Sequence, residues 1–293
     1  MRIANLDHRL VLLRDGGALD VHTASGGRFG PDPQSAFDDW PAFLQWAATA
    51  QGQVRPFDEA DLGAPVSRPR QIFAIGLNYV RHATESNLPI PEQPMVFTKF
   101  QSAVTGPSGR IALTGDTVDW EVELVAVIGT PAHRVDVTQA WDHVAGLTVG
   151  QDLSDRTVQT AGSPAQFSMG KSFPGFAPIG PALVTIEEFA DPDDLRVSTE
   201  LNGATVQDSR TSDLVFSVPE LIAYLSSIVT LLPGDLIFTG TPEGVGLGRT
   251  PPSYLVDGDT IVTTIEGIGS MRHDVYVPEH LNQSHSLSGK GAS

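Results

Sequence analysis

The sequence predicts an α+β fold dominated by strands, with a small N-terminal domain ahead of a larger one. From Gln71 onward, short runs of β-branched and aromatic residues alternate with Gly/Pro turns at 72–75, 122–128, 147–149, 183–186, 236–239 and 260–265. Helical spacing is rare in that part. The regular strand–helix alternation of a doubly wound or TIM-barrel chain is also missing. A chain of 293 residues is ample for a closed apolar core.

In chain order, Arg9-Leu10-Val11-Leu12-Leu13, the turn Asp15-Gly16-Gly17 and Ala18-Leu19-Asp20-Val21 read as a hairpin. Residues 35–51 space Phe37, Trp40, Phe43, Leu44 and Trp46 as on an amphipathic helix. Residues 56–69 carry Pro, Gly and acids without periodicity, which places a boundary near Ala64 and gives domains 1–64 and 65–281. Two later helices are expected, 138–144 and 219–231, the second opened by a Ser217/Glu220 capping box with Pro219 in its first turn. The Ser- and Gly-rich tail, 282–293, is expected to be disordered.

Eighteen Lys and Arg against 35 Asp and Glu give a net charge of −17, which repels nucleic acid and anionic membranes and favours a small partner. No apolar run approaches the ~20 residues of a membrane helix, and no signal-peptide pattern follows Met1. The absence of Cys removes disulfides, thiolate metal sites and Cys nucleophiles together. The expectation is a cytoplasmic enzyme or binding protein.

The most informative stretch is Asp119-Trp120-Glu121-Val122-Glu123-Leu124-Val125-Ala126-Val127-Ile128. Side chains alternate along a strand, so Glu121 and Glu123 share a face that continues as Val125 and Val127, while Val122, Leu124, Ala126 and Ile128 form the other. Two like charges near an apolar interior need a proton or a cation between them. Water-facing glutamates at a sheet edge are the alternative. A third acid, Asp152, ends the run 147–151, and three carboxylates from strand ends suit a hard divalent ion: Mg²⁺ or Mn²⁺, with Ca²⁺ also compatible. Asp119, at the strand entrance, is expected to be exposed.

His82 and Glu85 follow the run 72–75, and on a helical turn their spacing lets the carboxylate fix the imidazole tautomer for water activation. The Pro-containing segment 87–94 beside them has the makings of a lid. Lys is used only at 99, 171 and 290. Lys171, in Met169-Gly170-Lys171-Ser172-Phe173, suits oxyanion stabilisation; Lys99 lies between Phe97 and Phe100, where snorkelling over aromatic surface is the plainer role. Arg156 and Gln159 follow Asp152 on one face of a turn or helix. In Thr239-Gly240-Thr241-Pro242-Glu243-Gly244-Val245-Gly246, exposed amides and the Thr241 hydroxyl are placed to hold a carboxylate, and Pro251-Pro252 rules out the helix a dinucleotide fingerprint needs.

Taken in order, Gly76-Leu77-Asn78-Tyr79 with His82 and Glu85, Glu121-Val122-Glu123-Leu124, Asp152 to Gln159, Gly170-Lys171-Ser172-Phe173, Pro233-Gly234-Asp235 and Thr239-Gly240-Thr241-Pro242 resemble the fumarylacetoacetate hydrolase family across roughly 70–275. The resemblance implies a mixed β-sandwich roll, a homodimer, and Mg²⁺ or Mn²⁺ on Glu121, Glu123 and Asp152. It also implies a His82–Glu85 dyad, with Lys171 and Thr241 contacting substrate; Lys171 is expected to be catalytic, and Tyr79, Lys99, Arg156 and Gln159 are further expected substrate contacts. Gln151 departs from the family's Asn, and Asp155 and Thr157 flank Arg156 where many members have Ala and Asp.

The expected reaction is hydrolysis of a carbon–carbon bond in an acylpyruvate or 2,4-diketo acid, a small anionic oxo-acid substrate. His82 activates water and Lys171 meets the oxyanion. Oxaloacetate decarboxylation and isomerisation of a 2-oxo diacid are alternatives on the same site, and a non-catalytic oxo-acid-binding protein is the alternative of another class.

Overall fold

A computed structural model describes residues 1–279; the tail expected to be disordered lies outside the described residues. The structure is strand-rich and mixed, as expected. A twelve-stranded sheet runs from the N-terminal strands Val54–Arg55, Gly17–Asp20, Arg9–Arg14 and Arg2–Leu6 through Ala177–Val184, Val144–Gln151, Val122–Ile128, Leu236–Phe238 and Ile72–Gly76 to Met95–Thr98. A five-stranded sheet contains Ala204–Arg210, Arg196–Leu201, Thr260–Ile265, Gly269–Tyr276 and Ser108–Ala112. Most pairings are antiparallel; Leu236–Phe238 with Ile72–Gly76 is parallel.

The hairpin forms with Leu12 opposite Leu19. Residues before and after Ala64 belong to one sheet, because Arg2–Leu6 pairs with both Leu62–Gly63 and Ala177–Val184. The expected boundary therefore divides the chain into segments without dividing the sheet.

The strand Val122–Ile128 is buried along its whole length. Val122, Leu124, Ala126 and Ile128 join one apolar cluster, with Leu221, Ile222 and Leu225 of the helix Val218–Ile228, while Val125 and Val127 join another with Trp40, Phe43 and Phe238. Two cores of opposite parity clamp this strand and fix its register.

The helices depart in detail. The segment expected to be one helix over 35–51 is a 3₁₀ turn, Pro33–Phe37, followed by the α-helix Trp40–Ala47, because Asp39 caps the second piece and Pro41 sits in its first turn. The expected 138–144 helix is the 3₁₀ segment Val137–His143. The last helix stops at Ile228, since Val229 is extended and the chain goes on to bridge Leu231 with Ala132. Among the described residues, no helix is long and apolar enough to cross a membrane.

Gly150 lies opposite Glu123 in the ladder, and a Cβ there would come within 2.5 Å of Val125 Cγ2 and 2.8 Å of Phe238 Cε1. Gly150→Ala is therefore expected to cost about 1–3 kcal/mol of stability in chemical denaturation. A cost below ~0.5 kcal/mol would show that the strand yields freely.

Candidate active site

Strand parity places Glu121 and Glu123 together, and Asp152 enters from the neighbouring strand, its amide donating to the Glu121 carbonyl at 2.9 Å. One oxygen from each carboxylate lies within 4.8 Å of the others, and all three residues are buried. Lys171 Nζ donates to Glu121 Oε2 at 2.5 Å, Asp152 Oδ2 at 2.8 Å and Ser154 Oγ at 2.7 Å. An ammonium thus occupies a position between two of the acids where a cation is needed.

Lys99 does not line the cavity. It is fully buried behind Asp152, donating to Oδ1 at 2.5 Å and to the Lys171 carbonyl. Neither snorkelling nor direct substrate contact fits that position; the side chain anchors Asp152 and the Lys171 backbone. The cation lying over the Phe97 ring is Lys171, at 5.1 Å.

The charges resolve unequally. Burial alone would raise the pKa of Glu121, but Lys171 and Arg156 outweigh it and hold the group at about 2. For Glu123, burial, then the charges of Asp152 and Glu121, push it well above the usual carboxylate range, and the charge of Lys171 and the Gly240 amide, donating at 2.8 Å, offset this only in part. Burial pulls Lys99 down, whereas for Lys171 the attraction of Asp152 and Glu121 overcomes burial and raises it.

Asp119 is a correction. Far from being exposed, it is fully buried, accepting from Arg156 Nε at 2.8 Å and Nη2 at 2.7 Å and from the Gly246 and Leu247 amides at 2.7 and 3.0 Å. The backbone turns after Asp119, whose short strand pairs with Ser154–Asp155 in a separate two-stranded sheet. Arg156, thus held, reaches Glu121 Oε1 at 2.7 Å and Gln159 Oε1 at 2.9 Å. Asp155 caps the short helix Arg156–Gln159 that carries both residues.

His82 lies on the helix Val80–Glu85, with Nδ1 2.9 Å from Glu85 Oε1. Glu85 also accepts from the Gly244 amide, and Gly248 packs so closely that a Cβ would fall 2.7 Å from its carboxyl carbon. The glycine loop therefore spends its amides on the protein's own acids, Gly240 on Glu123, Gly244 on Glu85 and Gly246 on Asp119, and not on a substrate carboxylate as expected. Thr241 does line the cavity. Its hydroxyl accepts from Gln207 Nε2 at 2.8 Å, which leaves the hydroxyl proton for a ligand.

Tyr79 is a second correction: it is 1% exposed, lies outside the cavity lining, and its hydroxyl has no hydrogen-bond partner. Gln207 escaped sequence reasoning. Its Oε1 accepts from the Val122 amide at 3.0 Å, and Gln151 Oε1 accepts from the Glu121 amide at 2.8 Å while its Nε2 reaches Thr199 and Thr263. These two amides tie the carboxylate strand to the second sheet. The signal available beforehand was Gln151 itself, a longer side chain where the family carries Asn.

His82, Glu85, Glu121, Glu123, Arg156, Gln159, Lys171 and Thr241 line one cavity of about 430 Å³. The all-oxygen trio fits a hard divalent cation: Glu123 has no ion-pair partner of its own and is held toward its protonated form, and Lys171 already stands as a cation against the other two. A buried acidic trio and an imidazole oriented by a carboxylate thus line the same cavity, an arrangement that suits an enzyme site.

Comparison with known proteins places the chain in a family. Residues 71–276 match the fumarylacetoacetate hydrolase C-terminal domain, and the chain belongs to that family. The human protein named oxaloacetate tautomerase FAHD2A, mitochondrial, is 44% identical over 225 residues, covering 76% of this chain and 72% of that one. A provisionally assigned HpcE protein from Mycobacterium smegmatis is 51% identical with a TM-score of 0.93, covering 95% of this chain and 100% of that one. Maleylpyruvate hydrolase from Sphingobium sp. SYK-6, solved with manganese(II) and pyruvate, is 29% identical with a TM-score of 0.77, covering 95% and 100%.

Two outcomes are expected here. Asp119→Asn removes one of the two carboxylates that meet the buried Arg156, Glu121 remaining, and should cost about 1.5–3 kcal/mol in denaturant unfolding; a loss under ~0.5 kcal/mol would mean the pair carries little. Mn²⁺ titrated by calorimetry should bind at one site per chain with release of protons, because Glu123 must ionise, so affinity rises with pH; Glu123→Gln should weaken binding at least tenfold. Metal uptake with no proton release would contradict the raised Glu123 pKa.

Proposed function

We propose that the protein is a divalent-metal-dependent enzyme acting on a small 2-oxo acid, and that its reaction is proton transfer at C3, the carbon beside the oxo group, giving keto–enol interconversion. The observation that carries this reading is His82, held by Glu85 in the same cavity as the three buried carboxylates. Mg²⁺ or Mn²⁺ held by Glu121, Glu123 and Asp152 would supply Lewis acidity toward the acid's oxygens.

The chain's own groups do the rest. His82 Nδ1–H donates to Glu85, so Nε2 carries the lone pair; it takes a proton from C3 and gives it back in the reverse direction. The C2 oxygen gains a proton as C3 loses one, so the sum is an isomerisation that consumes no water. The Thr241 hydroxyl is a donor able to meet charge growing on that oxygen, and the Lys171 ammonium, its three protons given to Glu121, Asp152 and Ser154, adds positive charge nearby. Arg156, locked by Asp119, holds Glu121 and leaves Gln159 beside the cavity. The name of the human relative, an oxaloacetate tautomerase, supports this reading.

Hydrolysis of a carbon–carbon bond is the second reading, favoured by likeness to a maleylpyruvate hydrolase that binds pyruvate. There the same imidazole would take its proton from water, which then attacks a carbonyl further along the substrate.

With Mn²⁺ present, the protein is expected to speed decay of the oxaloacetate enol and to exchange C3 hydrogen for deuterium in D₂O, followed by ultraviolet absorbance and NMR. His82→Ala should slow both by about 10²- to 10⁴-fold. A variant that keeps the full rate would remove His82 from the mechanism. Conversion of acetylpyruvate to pyruvate and acetate at a comparable rate would move the assignment to hydrolysis.

A further inference from the structure

Lys and Arg line the cavity at one end only among the described residues. Its inner end holds the carboxylates with Lys171 and Arg156, all of them buried. Toward the opening the wall consists of Leu88, Met95, Phe97, Phe167 and Leu247, with Leu88 51% and Leu247 43% exposed. Phe97 and Phe167 pack edge to face with ring centres 5.7 Å apart, and Phe97 lies against the Lys171 ammonium, so the aromatic wall begins where the charged floor ends. Gly76 leaves room for Met95: a Cβ on it would meet the Met95 methyl at 2.2 Å.

Cations decide what such a wall accepts. Among the described residues, Lys171 and Arg156 are the only Lys or Arg lining the cavity, and both are engaged with Glu121 and its neighbours at the floor. The nearby Arg81 lies outside the lining and pairs with Glu243. The polar residues that accompany the outer wall, Ser86, Asn87 and Thr160, are uncharged. A second carboxylate placed there would lose hydration against apolar surface with no partner to replace it, whereas a hydrocarbon group would gain by leaving water. About 430 Å³ is also well above what the three-carbon head of a 2-oxo acid fills.

We infer that the substrate class is a 2-oxo acid carrying an uncharged, apolar or aromatic substituent beyond C3, seated between Phe97 and Phe167 on one side and Leu88 and Leu247 on the other, in preference to a 2-oxo acid whose chain beyond C4 ends in a second carboxylate. This rests on the reading of the floor as a 2-oxo-acid site and adds the identity of the far end. Phe97, Phe167 and Leu247 are then specificity-determining residues.

The test is equilibrium binding to the full-length, Mn²⁺-loaded protein, measured by calorimetry for pyruvate, 2-oxohexanoate, phenylpyruvate and 2-oxoglutarate. Phenylpyruvate and 2-oxohexanoate should bind about ten- to a hundredfold more tightly than pyruvate, and 2-oxoglutarate no more tightly than pyruvate. Phe167→Ala should shrink the phenylpyruvate-to-pyruvate affinity ratio about tenfold, a change that general loss of folding would not produce because both ligands share the floor. If 2-oxoglutarate matches or exceeds 2-oxohexanoate, the apolar-tail inference is overturned while the oxo-acid floor stands. If pyruvate itself fails to bind, the oxo-acid reading falls and this inference with it.

Discussion

The structure around the cavity depends on one electrostatic constraint: four carboxylates, Asp119, Glu121, Glu123 and Asp152, are buried together and only three cations, Lys99, Lys171 and Arg156, are buried with them. At a spacing near that of the acidic trio, two like charges repel by about 3–4 kcal/mol at the effective dielectric typical of protein sites. Such a cluster survives only if each charge is met. Asp119 has Arg156 and two amides; Asp152 has both lysines; Glu121 has Lys171 and Arg156. Glu123 is left with a single amide, and the site answers by favouring its protonated form. The uncompensated carboxylate gives the site its capacity for a further cation.

The parts of this arrangement that follow from period-two alternation were legible in the sequence. Glu121 and Glu123 share a face because any strand puts residues two apart on the same side, and the apolar residues on both faces of 122–128 marked the strand as central. Asp119 has the same parity, yet alternation says nothing of a strand that bends at Trp120, and its partner Arg156 lies 37 residues further along. Tyr79 and Lys99 were placed by residue type beside a motif; the fold turns one fully inward and puts the other behind Asp152. The short helices were misjudged for a related reason. Where Asp39 and Asp136 cap a segment, local side-chain-to-backbone bonds decide its ends, and apolar spacing does not register them.

Gln151 and Gln207 show a second kind of information absent from local pattern. Each accepts from a main-chain amide at the start of the carboxylate strand; Gln151 spans from there to Thr199 and Thr263 of the other sheet, and Gln207 reaches across from that sheet, where it also accepts from Thr199. An unpaired amide at this depth would be costly, so these side chains complete the hydrogen bonding of the strand that carries the site. Gln207 also fixes the acceptor side of Thr241. The glycine-rich loop, the carboxylate strand and the second sheet are thereby one hydrogen-bonded unit, which explains why the loop's amides are committed to the protein and only the Thr241 hydroxyl is left toward the cavity.

The same accounting bears on how an acidic protein attracts an acidic ligand. With a net charge of −17, the chain as a whole repels an anion. Exposed surface charges are screened over about 8–10 Å at physiological salt, however, while the buried groups at the cavity floor are screened far less. With Glu123 protonated, the three remaining carboxylates there are balanced by Lys99, Lys171 and Arg156; a divalent ion that displaced the Glu123 proton would leave one positive charge. Metal occupancy would thus make the local field positive at the end of the cavity lined by Lys171 and Arg156, and an anionic head group would be drawn to the floor with its remaining atoms directed along the apolar wall. Charge alone thus favours metal before anion: a neutral floor offers an anionic head little, and a positive one attracts it.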